Sequence, residues 1–175
     1  ASGGRVPAGA TPAPAPRAAQ TATRSPIALL PGVGADSAEA AEHLVRTRSV
    51  QLVVDGYNAT LWAWPELPII EQRRRLVDAL GELVARSGAC VHVVFDGGDD
   101  AYNPPPPSGP RLVNVTFSPA GVEADDVILA LVDDIRPDRG VVVVSDDRRV
   151  RDGSRRRGAN VVSARQLFGV LRRER

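Results

Sequence analysis

The 175 residues suffice for one domain of ordinary size plus an appendage. With 43% hydrophobic but only 4% aromatic residues, the core must be built from Val, Leu, Ile and Ala. Every basic residue is Arg and none is Lys, which excludes a Walker-type phosphate loop and a phosphorylation-receiver domain, since both need a Lys.

The first 26 residues are mostly Ala, Pro, Gly, Thr and Arg without an apolar period, and read as a disordered tail or linker. Ordering such a backbone costs roughly 1–2 kcal/mol per residue, so the stretch 1–26 is expected to add nothing to folding. The missing initial Met suggests a fragment or a processed product. Residues 27–48 gain apolar content and read as a short docking segment, with a helix from Ser37 to Val45 capped by Asp36 or Ser37.

The regular pattern, and with it the domain proper at 49–175, begins with a buried strand, Val50–Val54. A helix follows over Ile69–Arg86, with Ile69, Leu76, Val77, Leu80, Leu83 and Val84 on one face. Val91–Phe95 is a second strand. Gly97–Pro110, with its Gly pair and four consecutive Pro, is a loop, expected to act as a flap over a substrate channel. Arg111–Phe117 is a third strand, and Ala124–Ile135 a helix that turns Val127, Ile128, Leu131 and Ile135 inward. Val141–Val144 is a fourth strand, Arg148–Arg157 a helix, Asn160–Val162 a short fifth strand, and Ser163–Arg173 a closing helix capped by Ser163. Strands alternating with helices, and built from continuous β-branched runs, predict an α/β fold of three layers. Its centre is a mostly parallel sheet of about five strands, with helices on both faces. There is no signal-peptide pattern and no run of about 18 apolar residues to span a membrane. The single Cys90 forms no internal disulfide and suits a reducing cytoplasm, and with only His43 and His92 beside it there is no zinc-site pattern.

Charge is partitioned along the chain: residues 50–144 carry seven Arg against fourteen acids, and residues 145–175 ten Arg against four. A metal-dependent enzyme acting on a polyanion requires such an acidic centre beside a basic end. Three strands run directly into an acid, Asp55, Asp96 and Asp146, and the helix after the third strand opens with Glu123-Ala-Asp125-Asp126. In a parallel sheet the strand C-termini share one edge, the one where such folds bind ligands. Any one of these acids alone reads as a turn residue or a helix cap. Their coincidence on one edge does not. Asp55, Asp96, Asp125, Asp126 and Asp146 are therefore the candidate metal ligands, and hard carboxylate oxygens without His or Cys select Mg²⁺ or Mn²⁺. Asp147 reads better as a helix cap. Arg148, Arg149, Arg151, Arg155, Arg156 and Arg157 lie just past the acidic edge and are placed to grip phosphates, with an exposed basic helix face as the bland alternative. Arg73, Arg74 and Arg75 are weaker candidates, since such residues normally solvate a helix. Trp62, Trp64 and Tyr102 fall in loops after strand ends, where they would stack unpaired bases, or in the case of the Trp pair pack on a neighbouring helix. His92 reads as a core or edge residue.

The segments Val53–Asn58 (VVDGYN), Val93–Gly98 (VVFDGG), Gly121–Ile128 (GVEADDVI) and Val142–Val150 (VVVSDDRRV), followed by Arg156–Leu167, resemble the NYN domain, a PIN-like nuclease family. The resemblance is to the YacP-like branch, which includes a ribosome-associated endoribonuclease, and covers about residues 49–173 with the motifs in order. It implies a three-layer PIN-like fold and an endoribonuclease whose acidic cluster holds Mg²⁺ or Mn²⁺, with RNA, structured or ribosome-associated, as the partner. It further implies that Asn58 helps to hold the metal shell or the scissile phosphate, and that Ser145 is the small hydroxyl residue before the last acid. A bound metal would polarise the phosphate and activate a water, giving 5′-phosphate products. A non-catalytic RNA-binding module on the same fold is the alternative. A phosphatase of the haloacid dehalogenase type would need Asp-x-Asp where the chain has Asp55-Gly-Tyr57.

Overall fold

The computed structural model describes residues 23–97 and 113–173. The expected loop from Gly97 to Pro110, apart from its first residue, lies outside them, as does Tyr102. Five strands form one sheet: β1 (Gln51–Asp55), β2 (Cys90–Phe95), β3 (Val113–Phe117), β4 (Val141–Val144) and β5 (Asn160–Val162). Their order is β3-β2-β1-β4-β5, and every neighbouring pair is parallel. The runs of Val that make these strands are buried on both faces, as a covered parallel sheet demands.

Side chains alternate along each strand, and this sorts the core into two layers. Leu52, Val54, Val91, Val93, Phe95, Val142 and Val144 pack in one cluster with α1 (Ala38–Arg46), α2 (Gly56–Ala63), α3 (Ile69–Ser87) and α6 (Ala164–Arg173). Val53, Val94, Val141 and Val143 pack in the other with α4 (Ala124–Asp134) and α5 (Arg148–Arg156). The strand order reverses between β1 and β4, so the ligand crevice of such a sheet lies beyond the C-terminal ends of those two strands.

Local chemistry sets the helix ends. The Ser37 hydroxyl caps α1 by accepting from the Ala40 amide at 3.0 Å. Gly88, at φ 68°, takes the left-handed conformation that terminates α3. Ser163 and Gln166 form a reciprocal capping box on α6, each side chain accepting from the other's amide, at 3.1 and 2.9 Å.

Two expectations need correction. The stretch after β1 is a helix, α2, rather than a loop, so Trp62 is helical and Trp64 is its C-cap. No single apolar stripe announces this helix, because it packs between the sheet, α3 and α6. The packed chain also begins earlier than residue 27. Arg24 is 8% exposed and donates to the carbonyls of Val132 (2.8 Å), Ile135 (2.6 Å) and Arg157 (3.1 Å). Ile27 follows, and the Asn160 carboxamide bonds both its amide (2.7 Å) and its carbonyl (3.0 Å), covering the sheet edge at β5. Gly158 makes the approach feasible: a Cβ there would lie 2.1 Å from the Arg24 carbonyl oxygen.

Candidate active site

Asp55 is the last residue of β1 and the N-cap of α2, and it is 9% exposed. One carboxylate oxygen accepts from the Ser145 hydroxyl at 2.8 Å, across the switch point, and the other accepts from the Asn58 amide at 3.4 Å. Burial pushes its carboxyl up to about 6. The Ser145 and Asn58 hydrogen bonds oppose that rise, while the nearby carboxylates of Asp125 and Asp147 add to it. The Asp125 carboxyl is also raised, first by burial and then by Asp147, against the pull of Arg149.

Strand parity explains which acids meet. Asp55 continues the Val53 face of β1, toward α4 and α5, and Ser145 continues the Val141–Val143 face of β4 to the same side. Asp146 points the other way. Its carboxylate accepts from the Ala164 amide at 3.1 Å, at the start of α6, and its own amide donates to the Asn58 carboxamide oxygen at 2.8 Å. Asp147 caps α5, accepting from the Arg149 and Val150 amides at 2.7 and 3.1 Å, and is close enough to act on both Asp55 and Asp125. The cap reading of Asp147 therefore holds, and the residue is also an acid of the cluster. The sequence carried the signal in its parity, which the adjacency of Asp146 to the strand obscured.

Asp96 lies at the end of β2 and accepts from the Ser118 hydroxyl at 3.2 Å; the buried Ser118 also accepts from the Gly97 amide at 3.0 Å. Sequence reasoning passed over Ser118, which carries no motif. Asp125 and Asp126 open α4, where the Arg149 guanidinium spans Glu123 (2.7 Å), Asp125 (3.4 Å) and Asp126 (2.5 Å). Among the described residues, no three His, Cys, Asp or Glu side chains converge on one ready-made metal cage.

The basic candidates divide along α5. Arg148 and Arg149 stand at its N-terminal end, beside the acids, and Arg151 donates to the Ser145 carbonyl at 3.0 Å. Arg155, Arg156 and Arg157 lie at its far end, roughly 10–12 Å along the axis at 1.5 Å per residue. Arg157 there pairs with Asp133 at 2.9 Å. These three do not adjoin the acidic edge. Trp62 and Trp64 pack on Phe168, stacked at 5.6 Å and edge-on at 5.2 Å, as the packing alternative expected. His92 is half-buried in β2, beside Cys90, and burial lowers its pKa.

A buried carboxylate at the switch point of a parallel sheet, with further acids on the same edge, gives this α/β domain an acidic candidate site. The chain belongs to the YacP-like NYN domain family, whose model matches residues 52–175. Two crystal structures of Rae1 (YacP) from Bacillus subtilis are similar to it. One, a Trp-to-Leu mutant, shares 27% identity at a TM-score of 0.59, over 71% of this chain and 76% of its own. The second shares 27% identity at a TM-score of 0.56, over 70% and 74%. No curated protein matches the chain.

Proposed function

We propose that this domain is a divalent-metal-dependent endoribonuclease that hydrolyses RNA phosphodiester bonds at the C-terminal edge of its sheet. The observation that carries the reading is Asp55: a carboxylate 9% exposed, raised to about 6, with Asp125 and Asp147 adding repulsion. A buried anion among anions is costly, and a cation relieves the cost. The donor set fits a hard ion, because it is carboxylate and hydroxyl oxygen without His or Cys, which suits Mg²⁺ or Mn²⁺. Asp55 would anchor the ion; Asp125 and Asp147, the acids that act on it, would have to close in to complete the shell, Asp125 by leaving Arg149, with Asp146, Asp96 and Asp126 elsewhere on the same edge. When bound, such an ion polarises a phosphate oxygen and lowers the pKa of a coordinated water.

The chain's own residues have separate tasks in this reading. Ser145 and the Asn58 amide orient the Asp55 carboxylate. The Asn58 side chain fixes the end of β4 against α2 through the Asp146 amide. Arg148 and Arg149 face incoming phosphates. Family membership supports nuclease chemistry. Among the described residues no helix is long and apolar enough to cross a membrane, and the single Cys90 accords with a place in the cytoplasm.

One observation favours a second reading, an RNA-binding module without turnover: Arg149 already neutralises Asp125 and Asp126. One experiment separates the two. Purified protein is incubated with total RNA, with and without Mg²⁺ or Mn²⁺, and product ends are mapped. Metal-dependent cuts with 5′-phosphate ends, lost in Asp55→Asn, support the nuclease. RNA binding with no cleavage under any metal supports the module.

A further inference from the structure

We infer that Arg73, held by Tyr57 beside the acidic edge, is a binding site for an RNA phosphate; the inference rests on the ribonuclease reading above. Arg73 lies in the second turn of α3, in an Arg triplet that sequence alone reads as a solvated helix face. The three residues behave differently. Arg74 and Arg75 turn to Glu71, at 2.7 and 2.9 Å. Arg73 turns inward, and among the described residues no carboxylate pairs with it. Its Nε donates to the Tyr57 hydroxyl oxygen at 2.9 Å, and its Nη2 donates to the same oxygen. Its guanidinium carbon stands 5.4 Å from the Tyr57 ring centroid, 5.7 Å from that of Phe95 and 4.9 Å from that of Phe117. The rings themselves form one cluster, with Tyr57 and Phe117 each against Phe95, at 5.0 and 5.7 Å.

The place of this cage in the chain ties it to the site. Tyr57 is two residues past Asp55. Phe95 directly precedes Asp96, and Phe117 directly precedes Ser118, which bonds Asp96. The guanidinium is therefore fixed at the edge where β1, β2 and β3 end, on the opposite side of the sheet from Arg149.

Ring faces attract a cation but do not neutralise it, so the half-buried Arg73 keeps a positive charge that an anion would satisfy. A planar fork of N–H donors matches a phosphate. The Tyr57 oxygen already accepts two hydrogen bonds, which leaves its own O–H to donate. Arg73 and Tyr57 thus present donors from one rigid unit, and little side-chain freedom is lost when an anion arrives. Arg148 contrasts with it: its side chain is 96% exposed and among the described residues reaches only Asp152, at 3.7 Å.

The test measures affinity for a short single-stranded oligoribonucleotide with a 5′ fluorophore, in EDTA so that nothing is cut, across a salt series. Parent, Arg73→Gln, Arg73→Lys and Tyr57→Phe are compared, with melting recorded for each. Arg73→Gln should weaken binding about 5- to 20-fold and make the salt dependence shallower by about one unit of log–log slope. Arg73→Lys should restore the slope but only part of the affinity, and Tyr57→Phe should lose a few-fold with its melting point near the parent's. In Mg²⁺ the Arg73→Gln loss should fall on KM rather than kcat. Parent-like RNA affinity and slope in Arg73→Gln overturn the inference while leaving the nuclease reading intact. If Arg73→Gln does not fold, a parent-like Arg73→Lys and Tyr57→Phe overturn it equally. A parent that neither binds nor cuts RNA overturns the nuclease reading, and this inference with it.

Discussion

Asp55 ends β1 and Asp146 lies just past β4, yet their side chains act oppositely on stability. Folding raises the Asp55 carboxyl from an ordinary 3.8 to about 6, mainly through burial. A raised acid pKa favours the protonated form in the fold. The stabilising contribution is therefore complete below about pH 4 and is lost as pH rises toward 6. In metal-free buffer at pH 7, Asp55→Asn should be more stable than the parent, by on the order of 3 kcal/mol, with the gain vanishing near pH 4. Urea unfolding across that range checks it; equal pH profiles for the two proteins would count against a desolvated Asp55. Asp146→Ala should instead cost about 0.5–2 kcal/mol at neutral pH, because its carboxylate receives the first amide of α6. The sequence puts both acids at the C-terminal edge of the sheet and expects them to crowd together there, whereas their hydrogen bonds lie on different sides of it. Edge membership follows from strand position alone, whereas the side depends on parity counted back through β4, and Ser145 occupies the position that Asp55 shares. For the same reason the sequence favours the cap reading of Asp147 over a supporting place at the metal site.

Strands and long helices declared themselves through β-branched runs and the 3.6-residue period, and the structure keeps all of those read within the described residues. The eight-residue α2 did not, since its outward side carries the exposed Leu61 and Trp62 rather than polar residues, leaving no polar face to set against its buried Gly56, Ala59 and Thr60. Its first residue explains the Gly in Asp55-Gly-Tyr57. A Cβ on Gly56 would lie 2.4 Å from the Phe95 ring and 2.9 Å from the Val94 carbonyl oxygen. Gly56→Ala should cost about 1–3 kcal/mol by overpacking, and should weaken RNA binding because Phe95 is a wall of the Arg73 cage. Denaturant midpoints together with RNA affinity test this; a parent-like protein in both would mean that Phe95 moves freely. The Arg-rich helix α5 illustrates the other limit of sequence reading. Composition located the basic end, but only the helix axis shows that Arg148 and Arg149 start at the acids while Arg155, Arg156 and Arg157 end far from them.

The order β3-β2-β1-β4-β5 brings together groups separated by 90 residues, Asp55 and Ser145, and no local pattern announces that pairing. Residues 23–26 depart from the linker reading on similar grounds: their composition is that of a linker, while Arg24 reaches distant carbonyls. Removal of residues 1–22 should leave stability unchanged, whereas Arg24→Ala should cost about 2–4 kcal/mol by orphaning carbonyls at the ends of α4 and α5. Thermal and urea melts of the two variants check the contrast, and equal stability would make the contact dispensable.

That anchor has a mechanical consequence. Helices α4 and α5 each begin at the acidic edge, one with Asp125 and the other behind Asp147, and Arg24 joins their far ends. Gly153 seats α5 directly on Leu129, and Arg157 ties it to Asp133. The two helices form a pair of tongs riveted at the closed end. Their tips carry the acids and Arg149, whose guanidinium latches the start of α5 to the start of α4, so any opening to admit a substrate strand must release that latch and is smallest at the rivet. Loosening the rivet with Arg24→Ala should therefore be felt in the grip on RNA, at the opposite edge of the sheet.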